Sequence, residues 1–276
     1  MFSSKLPTDL FEGDTNSERF LAELQTNSKH TIPEQPYKCG IETNPTKKQY
    51  PWKASLSYNH LNSTRPICQA ILISPSHLIT PAHCVTSMKA GTAVPSDSLL
   101  VHLGKEDQVK LSDVVVHPGY QAGFLDHDLA LLKTTAPLEV TDHVRPICLF
   151  ESEVRERRDL AFLVGNEIGK GDTVAEENVE AAAFRIDRGE CEQMNPKLKG
   201  VLGENTYCVS YLPDNEHCVG SSGDGLISSK EGRSILRGVV PLGLLLQGEK
   251  ECKENSVSVV TDVAKYKKWI YRIIYQ

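Results

Sequence analysis

Three short segments carry residues that can do chemistry. Leu78-Ile79-Thr80-Pro81-Ala82-His83-Cys84 places a histidine beside a cysteine at the end of an apolar run. Asp126-His127-Asp128-Leu129-Ala130-Leu131-Leu132 leads an aspartate into a second apolar run, and Cys218-Val219-Gly220-Ser221-Ser222-Gly223-Asp224-Gly225-Leu226 sets serines between glycines. Each has an ordinary structural reading alone: a histidine near a disulfide, a strand-start aspartate, a glycine turn. Together, in the order His, Asp, Ser, they permit a nucleophilic triad. A serine hydroxyl is a weak nucleophile at neutral pH. It needs a neutral imidazole to take its proton and a carboxylate to fix that imidazole's tautomer and stabilise its cation. Glycines flanking the serine let backbone N–H groups approach a reacting carbonyl as an oxyanion hole, with Gly220 and Ser222 as the expected donors.

Such groups must be brought together from far apart in the chain. Short apolar or alternating runs recur at Trp52–Tyr58, Cys68–Ile73, Leu99–Leu103, Val109–Val116, Leu129–Lys133, Leu160–Val164, Ala181–Ile186, Tyr207–Tyr211 and Ile235–Leu246, separated by turn-forming residues. Many short strands without long helical patterns between them predict an all-β sandwich or barrel. Val263, Tyr266, Trp269, Ile270, Ile273 and Ile274 follow the spacing of one helical face, so a packed helix is expected at the end. Residues 1–38 are polar, with one small amphipathic patch at Phe20, Leu21 and Leu24, and read as a tail or linker.

Composition narrows the function classes. The chain has 276 residues, 39% hydrophobic and 24% charged, enough for a sizeable core without metal. A net charge of −6 without a basic stripe speaks against nucleic acid, and no run of 18 apolar residues suggests a membrane span. Eight cysteines without a CxxC pair suit four disulfides in an oxidising compartment. Asn62-Ser63-Thr64 is a glycosylation sequon that fits secretion. Residues 1–20 contain no apolar signal core, so the chain is either a truncated or mature piece of a longer secreted protein, the reading that the dispersed cysteines favour, or one that stays inside the cell. No cofactor and no transition-metal site is expected, and Glu106 and Asp107 give the 104–110 stretch only weak support as a calcium loop.

From Cys39 to Gln276 the chain resembles a chymotrypsin-fold, trypsin-like serine protease, and among these the haemolymph proteases of arthropods and their non-catalytic homologues. The resemblance rests on Tyr50-Pro51-Trp52, Thr80-Pro81-Ala82-His83-Cys84, Asp128-Leu129-Ala130-Leu131-Leu132, Arg145-Pro146-Ile147-Cys148-Leu149, Gly220-Ser221-Ser222-Gly223 and the Tyr266-Trp269-Ile270 helix. It implies two antiparallel Greek-key β-barrels with a C-terminal helix, a protease domain over 39–276, and His83 as general base, Asp128 as orienting carboxylate and Ser222 as nucleophile. It also implies the pairs Cys68–Cys84, Cys191–Cys208, Cys218–Cys252 and Cys39–Cys148, the last tethering the amino-terminal segment.

The departures from that family are as informative as the matches. Its nucleophile motif is Gly-Asp-Ser-Gly-Gly-Pro. Here Ser221 stands where the aspartate would receive a newly released chain terminus, and no Ile-Val-Gly-Gly follows Lys38-Cys39-Gly40-Ile41. Asp224, three residues on, is expected to lie on another part of the turn and not to substitute. In the substrate cleft Pro241-Leu242-Gly243 replaces Ser-Trp-Gly, Ser258 replaces a pocket-wall glycine and Gln69 replaces a small residue. Glu216 reads either as the acidic base of a pocket for Lys or Arg side chains or as a solvated loop residue. Two functions follow: a regulatory homologue with weak or no proteolysis, or an active endopeptidase cleaving after Lys or Arg in an extracellular cascade. Either implies a protein substrate or partner protease, and no residue pattern specifies an oligomeric state.

Overall fold

The computed structural model describes residues 38–41, 49–59, 66–87, 91–104, 106–149, 160–168, 174–212, 219–241 and 256–275. Its first sheet contains β1 (Lys53–Tyr58), β2 (Cys68–Ser74), β3 (His77–Thr80), β4 (Leu99–Leu103), β5 (Glu106–Val109), β6 (Leu111–Val116) and β7 (Ala130–Thr134). They lie in the order β5-β4-β1-β2-β3-β7-β6, all antiparallel. The two edge strands, β5 and β6, are consecutive in the chain and joined through Lys110 alone. The sheet therefore curls until its edges meet.

The second sheet contains β8 (Cys148–Leu149), β9 (Leu160–Ile168), β10 (Val174–Ile186), β11 (Thr206–Tyr211), β12 (Gly225–Lys230), β13 (Arg233–Val239) and β14 (Val257–Asp262). Its order is β12-β9-β10-β11-β14-β13-β8, and an additional β12–β13 pairing closes six of these strands into a ring. Only the short β8 runs parallel to its neighbour. The expected all-β architecture of two antiparallel barrels is thus present. So is the terminal helix: a 3-10 turn at Val263–Tyr266 runs into α2 (Lys267–Ile274), which buries Ile270 and Tyr271 in the core of the first barrel. A short helix, α1 (Arg188–Met194), precedes β11. No helix among the described residues is long and apolar enough to cross a membrane.

The strand expectations differ from the structure where burial is two-sided or a turn intervenes. Val109–Val116 is two strands broken at Lys110, and the run beginning at Ile235 ends as a strand at Val239. Strand β3 is the apolar run expected before His83, whereas β8, β12 and β14 had no expectation. β14 is buried at Val257–Thr261 on both faces, so Ser258 and Thr261 give no polar alternation to read.

Candidate functional site

His83 lies in a 3-10 turn, Ala82–Val85, at the end of β3. Two constraints set its position. Cys84 is bridged to Cys68 at the start of β2, and the Asp128 carboxylate takes both polar hydrogens of the histidine: Oδ1 accepts the His83 backbone N–H at 2.8 Å and Oδ2 stands 2.7 Å from Nδ1. Asp128 is only 3% exposed and enters β7 next to β3. A buried carboxylate at Nδ1 assigns the hydrogen to that nitrogen and leaves Nε2 as the basic one. Nε2 lies 3.5 Å from Cys84 Sγ. Cys68, His83 and Cys84 cluster within reach of one ion, but both sulfurs are in the disulfide and offer no thiolate.

Ser222 lies in the turn that leads into β12 and is buried. Its carbonyl accepts the Gln69 N–H at 2.8 Å. Cys68 therefore fastens the His83 segment while the next residue, Gln69, fastens the Ser222 turn. The approach is close because residue 223 is a glycine: a Cβ there, at φ +92°, would stand 1.9 Å from the Gln69 carbonyl oxygen, which also accepts from Thr80 Oγ1 at 2.8 Å.

Asp224 corrects the reading of its neighbourhood. The turn folds back, so three residues of sequence do not separate Asp224 from Ser221. Its Oδ2 accepts the N–H of Ser221 at 2.7 Å and of Gly220 at 3.0 Å, with Gly220 at φ +129°. The carboxylate is 1% exposed and fits because residue 165 of β9 has no Cβ; one would sit 2.1 Å from Oδ2. Burial pushes Asp224 up to about 7, opposed by Lys53 and by the two N–H bonds. The Gly220 N–H, an expected oxyanion donor, is thus turned into the protein. Sequence inspection missed Asp224 as a turn anchor, although a second acid inside a glycine loop that had lost its usual one was an available signal.

The remaining residues divide. Beside His83 and Asp128 opens a cavity of about 350 Å³ with walls from Tyr120, Phe124, Leu125, Leu198 and Pro241. Pro241 accordingly borders the site. Ser258 is fully buried, 2.6 Å from the Tyr211 hydroxyl, which donates to the Val219 carbonyl at 2.8 Å. This chain of bonds is internal to the second barrel. Besides Cys68–Cys84, the structure forms Cys39–Cys148 and Cys191–Cys208. Gly40 is held beyond its disulfide neighbour by its N–H to the Pro146 carbonyl (2.9 Å) and by the Ser234 N–H to its own carbonyl (2.8 Å). Glu216, Gly243, Cys218, Cys252 and Asn62 lie outside the described residues.

The comparisons agree with this architecture. The family model described as Trypsin matches residues 40–270. Among curated proteins, the chain is 28% identical over 245 residues to vitamin K-dependent protein C of Oryctolagus cuniculus, covering 80% of this chain and 49% of that protein. It is 29% identical over 250 residues to the suppressor of tumorigenicity 14 protein homolog of Bos taurus, covering 82% of this chain and 27% of that one. The chain therefore spans half or less of the length of these relatives.

Proposed function

Because the chain belongs to the trypsin family, we propose that it is a secreted regulatory homologue of those proteases, with His83, Asp128 and Ser222 as a retained triad and with proteolysis weak or absent. The observation that carries this reading is the 3.0 Å bond from the Gly220 N–H to Asp224. Acyl transfer develops negative charge on the substrate oxygen, and donors must already point at it. Here one expected donor is engaged by a carboxylate in the protein interior. Losing a single such donor costs roughly 10²–10³-fold in kcat. Replacement of the usual aspartate by Ser221, and of the cleft serine by Pro241, which has no N–H to offer a substrate strand, acts in the same direction.

In this reading residues 39–276 are the protease-like domain and residues 1–38 a tail. Asn62 carries a glycan in the extracellular space. The role is to engage a protein substrate or partner protease in a cascade. The 2.7 Å His83–Asp128 contact favours the second reading, an active endopeptidase cleaving after Lys or Arg with Glu216 at the base of its pocket. A fluorophosphonate probe separates the two. The expected result is labelling at least about 100-fold slower than for an active trypsin, because one oxyanion donor is missing. Labelling as fast as that of trypsin, abolished in Ser222→Ala, establishes the endopeptidase and overturns the regulatory reading.

A further inference from the structure

We infer that Lys53 and Asp224 are the positioning pair of the Gly220–Asp224 turn: the ammonium carried by β1 steadies the carboxylate beneath the turn, keeps the Gly220 N–H inward, and does so without a released chain terminus. This deepens the functional reading above and takes from it the role of the Gly220 N–H.

The geometry comes from two directions. On one side, the Lys53 Nζ donates to Asn166 Oδ1 on β9. On the other, Gly165, the residue before Asn166, gives the space into which Asp224 Oδ2 fits. The two contacts fall on successive residues of β9, whose side-chain positions face opposite ways, so they bring Lys53 and Asp224 to one stretch of strand without direct contact. Lys53 and Asp224 also line one small cavity of about 10 Å³ together with Trp52, Gln69 and Gly223. Three buried polar atoms belong to residues around that cavity: Trp52 Nε1, Gln69 Oε1 and Asp224 Oδ1, none with a hydrogen-bond partner among the described residues. Oδ2 has the two turn N–H groups, but Oδ1 has no hydrogen-bond partner among the described residues, so the buried carboxylate gains from a nearby cation.

Among the described residues named around Asp224, one carries a cation. From β1 comes Lys53. From β11 comes Tyr211, whose hydroxyl is pushed up by burial and stays neutral. The neighbouring positions of β9, Val164, Gly165 and Asn166, and Gln69 of β2 have no ionisable side chain. Lys53 is brought down to about 8 by burial, with Asp224 pulling it back up, and Asp224 is affected by Lys53 in the reciprocal sense.

The test follows the Gly220 amide by NMR in the intact protein labelled with ¹⁵N-glycine, from pH 5 to 9. The expected result is a resonance that titrates with a midpoint near pH 7 in the wild type and that loses this midpoint in Asp224→Asn. In Lys53→Met the midpoint moves upward by roughly 1–3 pH units, the effect of taking an opposite charge from a carboxylate. Lys53→Gln, which keeps a polar end for Asn166, serves where the Met variant does not fold, and Lys53→Arg is expected to restore most of the wild-type midpoint. A Gly220 amide that does not titrate, or a midpoint that stays put when the Lys53 charge is removed, overturns the inference. Fast fluorophosphonate labelling combined with the expected midpoints would sink the reading of weak proteolysis and leave the pair standing. Slow labelling with an unmoved midpoint would do the reverse.

Discussion

Gly223→Ala is expected to destabilise the protein by about 3 kcal/mol or more, whereas Gly123→Ala, at nearly the same backbone angle, costs only about 1 kcal/mol. Both glycines are left-handed, at φ +92° and +90°. A Cβ at Gly123 meets nothing within 4 Å, so that variant reports the backbone penalty alone. A Cβ at Gly223 would meet the Gln69 carbonyl oxygen at 1.9 Å and its carbonyl carbon at 2.5 Å, both backbone atoms. Relief requires the Ser222 turn to move off β2. That stretches the Gln69 N–H bond to the Ser222 carbonyl, and a buried backbone donor left unsatisfied costs about 1–3 kcal/mol more. Denaturant unfolding of the two variants side by side measures the difference. Equal losses would mean that the close approach between turn and β2 does not exist.

The same contact explains what could and could not be read from the sequence. Runs with apolar character, such as Leu99–Leu103 and Tyr207–Tyr211, are strands in the structure because period-2 or continuous burial leaves a direct mark on composition. β12 left none. Its sequence, Gly-Leu-Ile-Ser-Ser-Lys, becomes a strand because β9 and β13 supply partners on both sides, a tertiary cause invisible locally. The candidate site shows the same division. His83 and Asp128 sit in recognisable frames, and their 2.7 Å contact follows from the pairing of β3 with β7. The consequence of Asp224 depended on a turn folding back and on a glycine in a distant strand. The spacing between Asp224 and Gly165 records neither. Lys53, in an otherwise half-polar strand, resembled any surface lysine until β9 was packed across it.

Lys53→Met is expected to lower stability by roughly 1–4 kcal/mol at pH 7–8, the equivalent of the 1–3 pH units by which loss of an opposite charge raises a carboxylate. The double variant Lys53→Met/Asp224→Asn is expected to recover that loss or exceed the wild type. The signs follow from linkage. Asp224 is raised from 3.8 to about 7 on folding, so its favourable contribution is complete below pH 3.8 and is lost as pH rises to about 7. Lys53 is lowered from 10.5 to about 8, so its contribution is complete above pH 10.5 and is lost as pH falls to about 8. Both charges are therefore held against their burial penalty in the window around pH 7–8, where each depends on the other. Without Lys53, the carboxylate faces that penalty alone, and the deficit is largest in that window. Near pH 5 the carboxyl is protonated in the variant and the deficit shrinks. Removing both charges takes away the penalty and keeps an acceptor oxygen for the Gly220 and Ser221 N–H groups. Urea unfolding of the wild type, both single variants and the double variant at pH 5, 7 and 9 gives the full cycle. A deficit in Lys53→Met that is the same at all three pH values would assign its cost to lost packing of the lysine stem and would remove the charge coupling between β1 and the Ser222 turn.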